Sequence, residues 1–207
     1  MKVLIVAATA KEVTLFHEHF NISANDFVQH QKFDLLITGV GMTATAFALG
    51  IHLKSNYDLV LNVGIAGSFN QNIPLGSLVN VVSDNFAELG AEDNHAFITI
   101  DDLGFGKSMY HASFDYNELP KVSSITVNKV HGNQLSISEL QNRLIVQTES
   151  MEGAAVFYAC EQLNVPCLQI RAISNYVEPR NKETWQIGLA IKNLNNWLID
   201  FITNNGL

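Results

Sequence analysis

Residues 2–8, Lys2-Val3-Leu4-Ile5-Val6-Ala7-Ala8, form an almost unbroken apolar run. A strand with one wet face alternates, so such a run belongs to a strand covered on both faces. The same signature returns in Asp34-Leu35-Leu36-Ile37-Thr38, in Asp58-Leu59-Val60-Leu61-Asn62-Val63 and over residues 166–173. Between these runs the period turns helical, as in Val13, Phe16 and Phe20, or in the small-residue stretch 43–53. Strands alternating with helices predict an α/β fold: a single-domain three-layer sandwich around a central mixed, mostly parallel sheet. A length of 207 residues suits one such domain, residues 1–207.

The rest of the chain fits this plan. Residues 77–83 and 124–130 read as strands, and 136–143 as a short helix. Residues 84–121 are the least periodic part, with Gly90, Gly104, Gly106 and Pro120 interrupting aromatics, and read as long loops and short strands, a lid or a subunit contact. Residues 144–146 read as the end of a buried strand that leads through Glu149 and Glu152 into a buried helix ending near Cys160. Residues 182–204 read as a closing amphipathic helix containing Trp185 and Trp197.

Several function classes are disfavoured. A net charge of -8 without a basic cluster argues against nucleic acid as a partner. No apolar run nears the ~20 residues of a membrane span, and the N-terminus lacks a signal peptide's features. A soluble, cytoplasmic protein is expected. Cys160 and Cys167 lie in apolar stretches and read as core residues. The histidines show no ligand spacing, His17 and His19 lying on different sides of a helix, so no metal is expected. Neither Gly39-Val40-Gly41 nor Gly64-Ile65-Ala66-Gly67 makes a dinucleotide or P-loop pattern, and no cofactor is expected.

Unusual residues gather at strand ends: Thr9–Glu12, Gly39–Gly41, Gly64–Ser68, Ser150–Glu152 and Arg171–Asn175. Each has a plain explanation. Thr9 and Glu12 match a capping box, glycines make tight turns, and acidic residues suit a helix's first turn. Arg171 can serve a structural ion pair, and Asn175 a turn. In a parallel sheet, however, the carboxyl ends share one edge, where such folds bind ligands. Two carboxylates, a guanidinium, an amide and bare backbone would then meet in one cleft.

In order and spacing, Glu12, Gly64-Ile65-Ala66-Gly67, Ser150-Met151-Glu152-Gly153-Ala154-Ala155 and Arg171-Ala172-Ile173-Ser174-Asn175 resemble the nucleoside phosphorylase/nucleosidase superfamily along nearly the whole chain, most closely its methylthioadenosine/S-adenosylhomocysteine nucleosidases. Residues 86–92, 127–132 and 176–181 are similar to the futalosine hydrolase branch, which releases hypoxanthine on an alternative route to menaquinone. The resemblance implies a small purine nucleoside as substrate and a homodimer. It makes Glu12 the base toward water, and Arg171 the residue that places Glu12 and the water. Glu152, with Ser150 and the Met151 backbone, would hold the ribose. Gly64, Ala66 and Ser174 would border the site, and Leu135 or a neighbour on its loop would lie against the purine.

Asn175 departs from the pattern, because the relatives acting on 6-aminopurines carry aspartate there. An amide donates to a 6-oxo group and accepts from N7–H, which implies hypoxanthine or guanine as the base. It cannot itself give N7 a proton. Ile65 is a second departure, where the adenosine-type enzymes have serine. Lys11 is a weak substitute for the phosphorylases' phosphate-gripping arginines, so water is the expected nucleophile. Arg180, Lys107 and His111 are the candidates for futalosine's distal carboxylate. The rival readings are an adenosine-type nucleosidase, a 6-oxopurine phosphorylase and a non-catalytic nucleoside sensor.

Overall fold

A computed structural model describes residues 1–23, 25–94 and 96–204. β1 (Val3–Ala7) leads through a 3-10 turn (Ala10–Val13) into α1 (Thr14–Phe20), followed by β2 (Phe27–Gln29), β3 (Asp34–Ile37), α2 (Met42–His52) and β4 (Leu59–Ser68). Next come β5 (Leu78–Phe86), β6 (Gly90–Asp93), β7 (Ala96–Thr99), β8 (Met109–His111) and β9 (Lys121–Thr126). The chain closes with α3 (Gln134–Arg143), β10 (Thr148–Ser150), α4 (Gly153–Leu163), β11 (Cys167–Tyr176), a second 3-10 turn (Lys182–Thr184) and α5 (Ile187–Asn204).

Nine strands form one sheet in the order β10-β9-β5-β11-β4-β1-β3-β2, with β8 on β5, while β6 and β7 pair separately. Because β10 also pairs β4, the path from β10 to β4 closes on itself, and this half of the sheet curls. The sheet is mixed, but parallel pairs hold only a bare majority of it: five are parallel and four antiparallel. The cause is connection length. A short link from β4 to β5 has no room for a crossover, so β5 runs back against β11.

β1 is buried at every position, as its unbroken apolar run requires. Val3, Ile5 and Ala7 pack with Val13, Phe16 and the α5 residues Leu194 and Leu198. Leu4 and Val6 point the other way, into a cluster with Leu49 of α2 and Val156 and Phe157 of α4. Helices therefore cover both faces. Cys160 and Cys167 are buried free thiols in the second cluster. None of the described helices is long and apolar enough to cross a membrane.

Some elements differ from the sequence reading. Residues 144–146 end no strand, and Ile145 is 93% exposed. The strand there is the polar Thr148-Glu149-Ser150, buried because β9 and β4 flank it. The closing helix starts at Ile187, because Asn181 accepts from the Glu183 N–H and opens a separate 3-10 turn. Trp185 therefore lies outside α5. β2 is an edge strand that the sequence pattern does not announce.

Candidate active site

A cavity of about 360 Å³ opens at the ends of β1, β4, β10 and β11 and is bordered by the α5 residues Ile187 and Ile191. Glu12, Glu152, Asn175, Ser150, Met151, Ser174 and Ala66 all line it. The separate strand-end signals of the sequence thus meet in one place.

Glu12 reaches the cavity from the 3-10 turn after β1. The capping box is real: its Oε2 accepts from the Thr9 N–H at 3.0 Å and from Thr9 Oγ1 at 2.9 Å. That uses one oxygen. Oε1 accepts from the Ile65 N–H on β4 at 3.1 Å, fifty-three residues away in sequence. The turn itself is fastened from α5, where buried Asn195 Nδ2 donates to the Glu12 carbonyl at 2.7 Å and Oδ1 accepts from the Phe16 N–H. Glu12 is only 7% exposed, and burial pushes its carboxyl above the ordinary range. The Arg171 charge pulls the other way, and the Glu152 charge adds to the rise.

Arg171 stands behind the wall rather than in it. It sits opposite Gly64 in the β11–β4 register, is 1% exposed, and its Nε and Nη2 find no acceptor among the described residues. A Cβ at Gly64 would collide with Arg171 Nη1 and lie 2.9 Å from Glu12 Oε1. Gly64 is thus required by the crossing of these two side chains, and the expected bare backbone for a ligand is found further on, at Ala66 and Gly67.

Glu152 sits at the N-cap of α4 but makes no capping hydrogen bond with its side chain. Its Oε1 instead accepts from the Gly41 N–H at 2.9 Å, across the cavity mouth. Gly41 has φ of +94°, a conformation that suits glycine and aims this N–H at Glu152. Among the described residues Oε2 has no hydrogen-bond partner, and Glu152 lines the cavity beside Ser150 and Met151. Beneath lies Asp84, fully buried, accepting from Thr126 Oγ1 at 2.9 Å and Gln169 Nε2 at 2.8 Å, with burial pushing it up to about 6.

Asn175 owes its aim to a β-bulge. The β11–β4 register shifts between Ile173 and Asn175, which re-aims the side chains at the strand's end. Ser174 Oγ lies 2.8 Å from Asn175 Oδ1, and Asn175 Nδ2 donates to the Tyr176 carbonyl at 3.1 Å. One N–H and one lone pair of the amide stay unspent.

Leu135 is not brought to the cavity. It lies on the exposed side of the first turn of α3, 74% exposed, and the wall is built instead by Val130 and His131 of the preceding loop. Of the candidates for a distal carboxylate, only Arg180 lines the cavity, with its guanidinium 4.9 Å from the Trp185 ring centroid. Lys107 is paired with Glu161 on α4, and His111 borders a different pocket. The sequence reading missed Trp185, His131 and the pairing of Glu149 with His131. A carboxylate inside a buried strand was the available signal for Glu149.

Residues 2–202 match the family model described as the phosphorylase superfamily. A futalosine hydrolase of Streptomyces coelicolor is 33% identical over 172 residues, covering 76% of this chain and 73% of its own length. The futalosine hydrolase of Thermus thermophilus is 28% identical, covering 78% and 77%. Among solved structures, a 5′-methylthioadenosine/S-adenosylhomocysteine nucleosidase from Helicobacter pylori superposes with TM-score 0.82 at 15% identity over 98% of this chain and 97% of its own. The native futalosine hydrolase of Helicobacter pylori gives 0.80 at 15% over the same shares. At that identity the two structures speak for the fold alone. Since the family model spans nearly its whole length, the chain belongs to the phosphorylase superfamily.

Proposed function

We propose that the chain uses water to cleave the N-glycosidic bond of futalosine, releasing hypoxanthine and dehypoxanthine futalosine, a step on an alternative route to menaquinone. The observation that carries this reading is the neutral amide of Asn175, with one donor and one acceptor unspent, in the same cavity as two carboxylates. Asn175 Nδ2 donates to the 6-oxo group and Oδ1 accepts from N7–H. A 6-amino group would leave donor facing donor, a mismatch that buried sites reject strongly. The curated relatives named futalosine hydrolase support the choice of nucleoside.

Glu152 and the Met151 backbone hold the ribose hydroxyls, the free Glu152 oxygen accepting from them. As the bond to the purine breaks, the ribose gains oxocarbenium character. Glu12 stabilises that charge and takes the proton of the attacking water. Arg171 acts through Glu12, its charge favouring the ionised carboxylate from behind Gly64. Arg180 meets the distal carboxylate beside the Trp185 ring, giving a charge-assisted hydrogen bond.

Lys11 and Arg180 both line the cavity, which keeps phosphorolysis as a second reading. Hypoxanthine release from futalosine, followed with and without phosphate and compared with inosine and methylthioadenosine, decides between them. Release without phosphate, and faster for futalosine than for methylthioadenosine, is the expected result. Dependence on phosphate would make the chain a phosphorylase, and binding without turnover would make it a sensor. The reading also carries a cytoplasmic homodimer, supported by an apolar groove between α2, α4 and residues 86–110.

A further inference from the structure

The reaction proposed above leaves one requirement unmet, since Asn175 has no acidic proton to give the departing base. We propose that His131, held by Glu149, is the acid that protonates the purine as it leaves. The inference rests on the nucleosidase reading and extends it to a residue pair to which the resemblance assigned no role.

Glu149 lies in β10 and is almost fully buried, and both of its oxygens are committed to one residue. Oε1 accepts from the His131 backbone N–H at 3.0 Å, and Oε2 meets the His131 Nδ1 at 2.7 Å. This two-point grip fixes the loop and the ring together. It assigns the Nδ1 proton to the carboxylate and leaves Nε2 as the nitrogen for a ligand. His131 and Glu149 line the same cavity as Asn175. Gly67 measures how close they stand: a Cβ placed there would lie 3.2 Å from Asn175 Nδ2 and 3.6 Å from Glu149 Cγ. Glu149 therefore stands beside Asn175 across Gly67, its partner His131 lines the same cavity, and the Phe69 ring lies 6.3 Å from the imidazole, centroid to centroid.

The step balances. The C1′–N9 bond breaks and its electron pair goes to the purine. The imidazolium of His131 gives its Nε2 proton to N7, so hypoxanthine leaves neutral, its new N7–H shared between His131 Nε2 and Asn175 Oδ1 on the same edge of the base. The water oxygen bonds to C1′ and its proton goes to Glu12. Exchange with solvent then returns Glu12 and His131 to their starting forms.

A merely structural pair would anchor the 127–133 loop and nothing else. Leaving-group dependence separates the two roles, because 4-nitrophenolate departs without an acid. The variants are His131→Asn, with His131→Gln in its place if the first does not fold, and Glu149→Gln. Each is assayed beside the wild type on futalosine and on 4-nitrophenyl riboside, with thermal midpoints recorded. The expected result is a loss of about 10²-fold or more in kcat on futalosine, with the nitrophenyl riboside reduced far less. Added imidazole should partly restore a His131→Gly variant on futalosine. Equal losses on both substrates with no rescue, or unchanged turnover of futalosine, would overturn the proposal. If the wild type ignores futalosine but cleaves inosine, the choice of nucleoside fails, and the same comparison on inosine still tests the pair.

Discussion

Glu12 divides its carboxylate between two tasks, with Oε2 closing the turn through Thr9 and Oε1 pointing at β4 and the cavity. The division predicts how Glu12→Gln behaves. Turnover falls by about 10²- to 10⁴-fold, while hypoxanthine still binds in equilibrium titration. Burial raises the Glu12 carboxyl, and the base form is lost as pH falls through that raised value. The acidic limb of kcat/KM should therefore stand above the ordinary glutamate value of about 4.3 and vanish from the residual activity of the variant. A limb at the ordinary value would contradict the assignment. Arg180 acts on the other end of the substrate. Arg180→Gln should weaken futalosine by roughly 10- to 100-fold in kcat/KM, the worth of a charge-assisted hydrogen bond, and barely change inosine, which has no distal carboxylate.

At the scale of elements, β4 and β11 do most of the positioning. Their register places Arg171 opposite Gly64 and then slips at Ser174, which delivers Asn175 to the cavity. Gly64→Ala should cost about 1–3 kcal/mol through overpacking, read as a lowered thermal midpoint, because the guanidinium it would strike is buried and packed. An unchanged midpoint would mean that Arg171 has room to move. The apolar runs of β1, β3, β4 and β11 were legible because burial on both faces favours apolar residues at successive positions and admits polar ones only where a partner meets them, as Gln169 meets Asp84. β10 was not, since Thr148-Glu149-Ser150 looks like a loop until β9 and β4 supply its partners. Glu12, Glu152 and Asn175 could be read from chain position and family resemblance. His131 could not be assigned, because its meaning comes from Glu149, eighteen residues on and in another element. Leu135 itself faces solvent on the helix that follows, and it is the neighbours Val130 and His131 that line the cavity, a choice within one loop that the sequence left open.

For the whole molecule, the unfinished surface is the apolar one over α2 and α4. Phe47 is 72% exposed, and Ile51 and Tyr158 are exposed on the same two helices. A monomer rarely leaves such a patch bare without a partner. Phe47→Glu should turn a dimer into a monomer in light scattering, and a wild type that is already monomeric at every concentration would remove the homodimer from the account. The proposed chemistry needs one cavity to hold an acid for the water, an acid for the sugar and a neutral amide for an oxopurine. Its most direct test is the specificity of wild type and Asn175→Asp toward futalosine and its 6-amino counterpart. The account predicts that the wild type prefers the 6-oxo nucleoside and that the aspartate reverses the preference. A wild type indifferent to the 6-substituent, or a variant that keeps the original order, would contradict it.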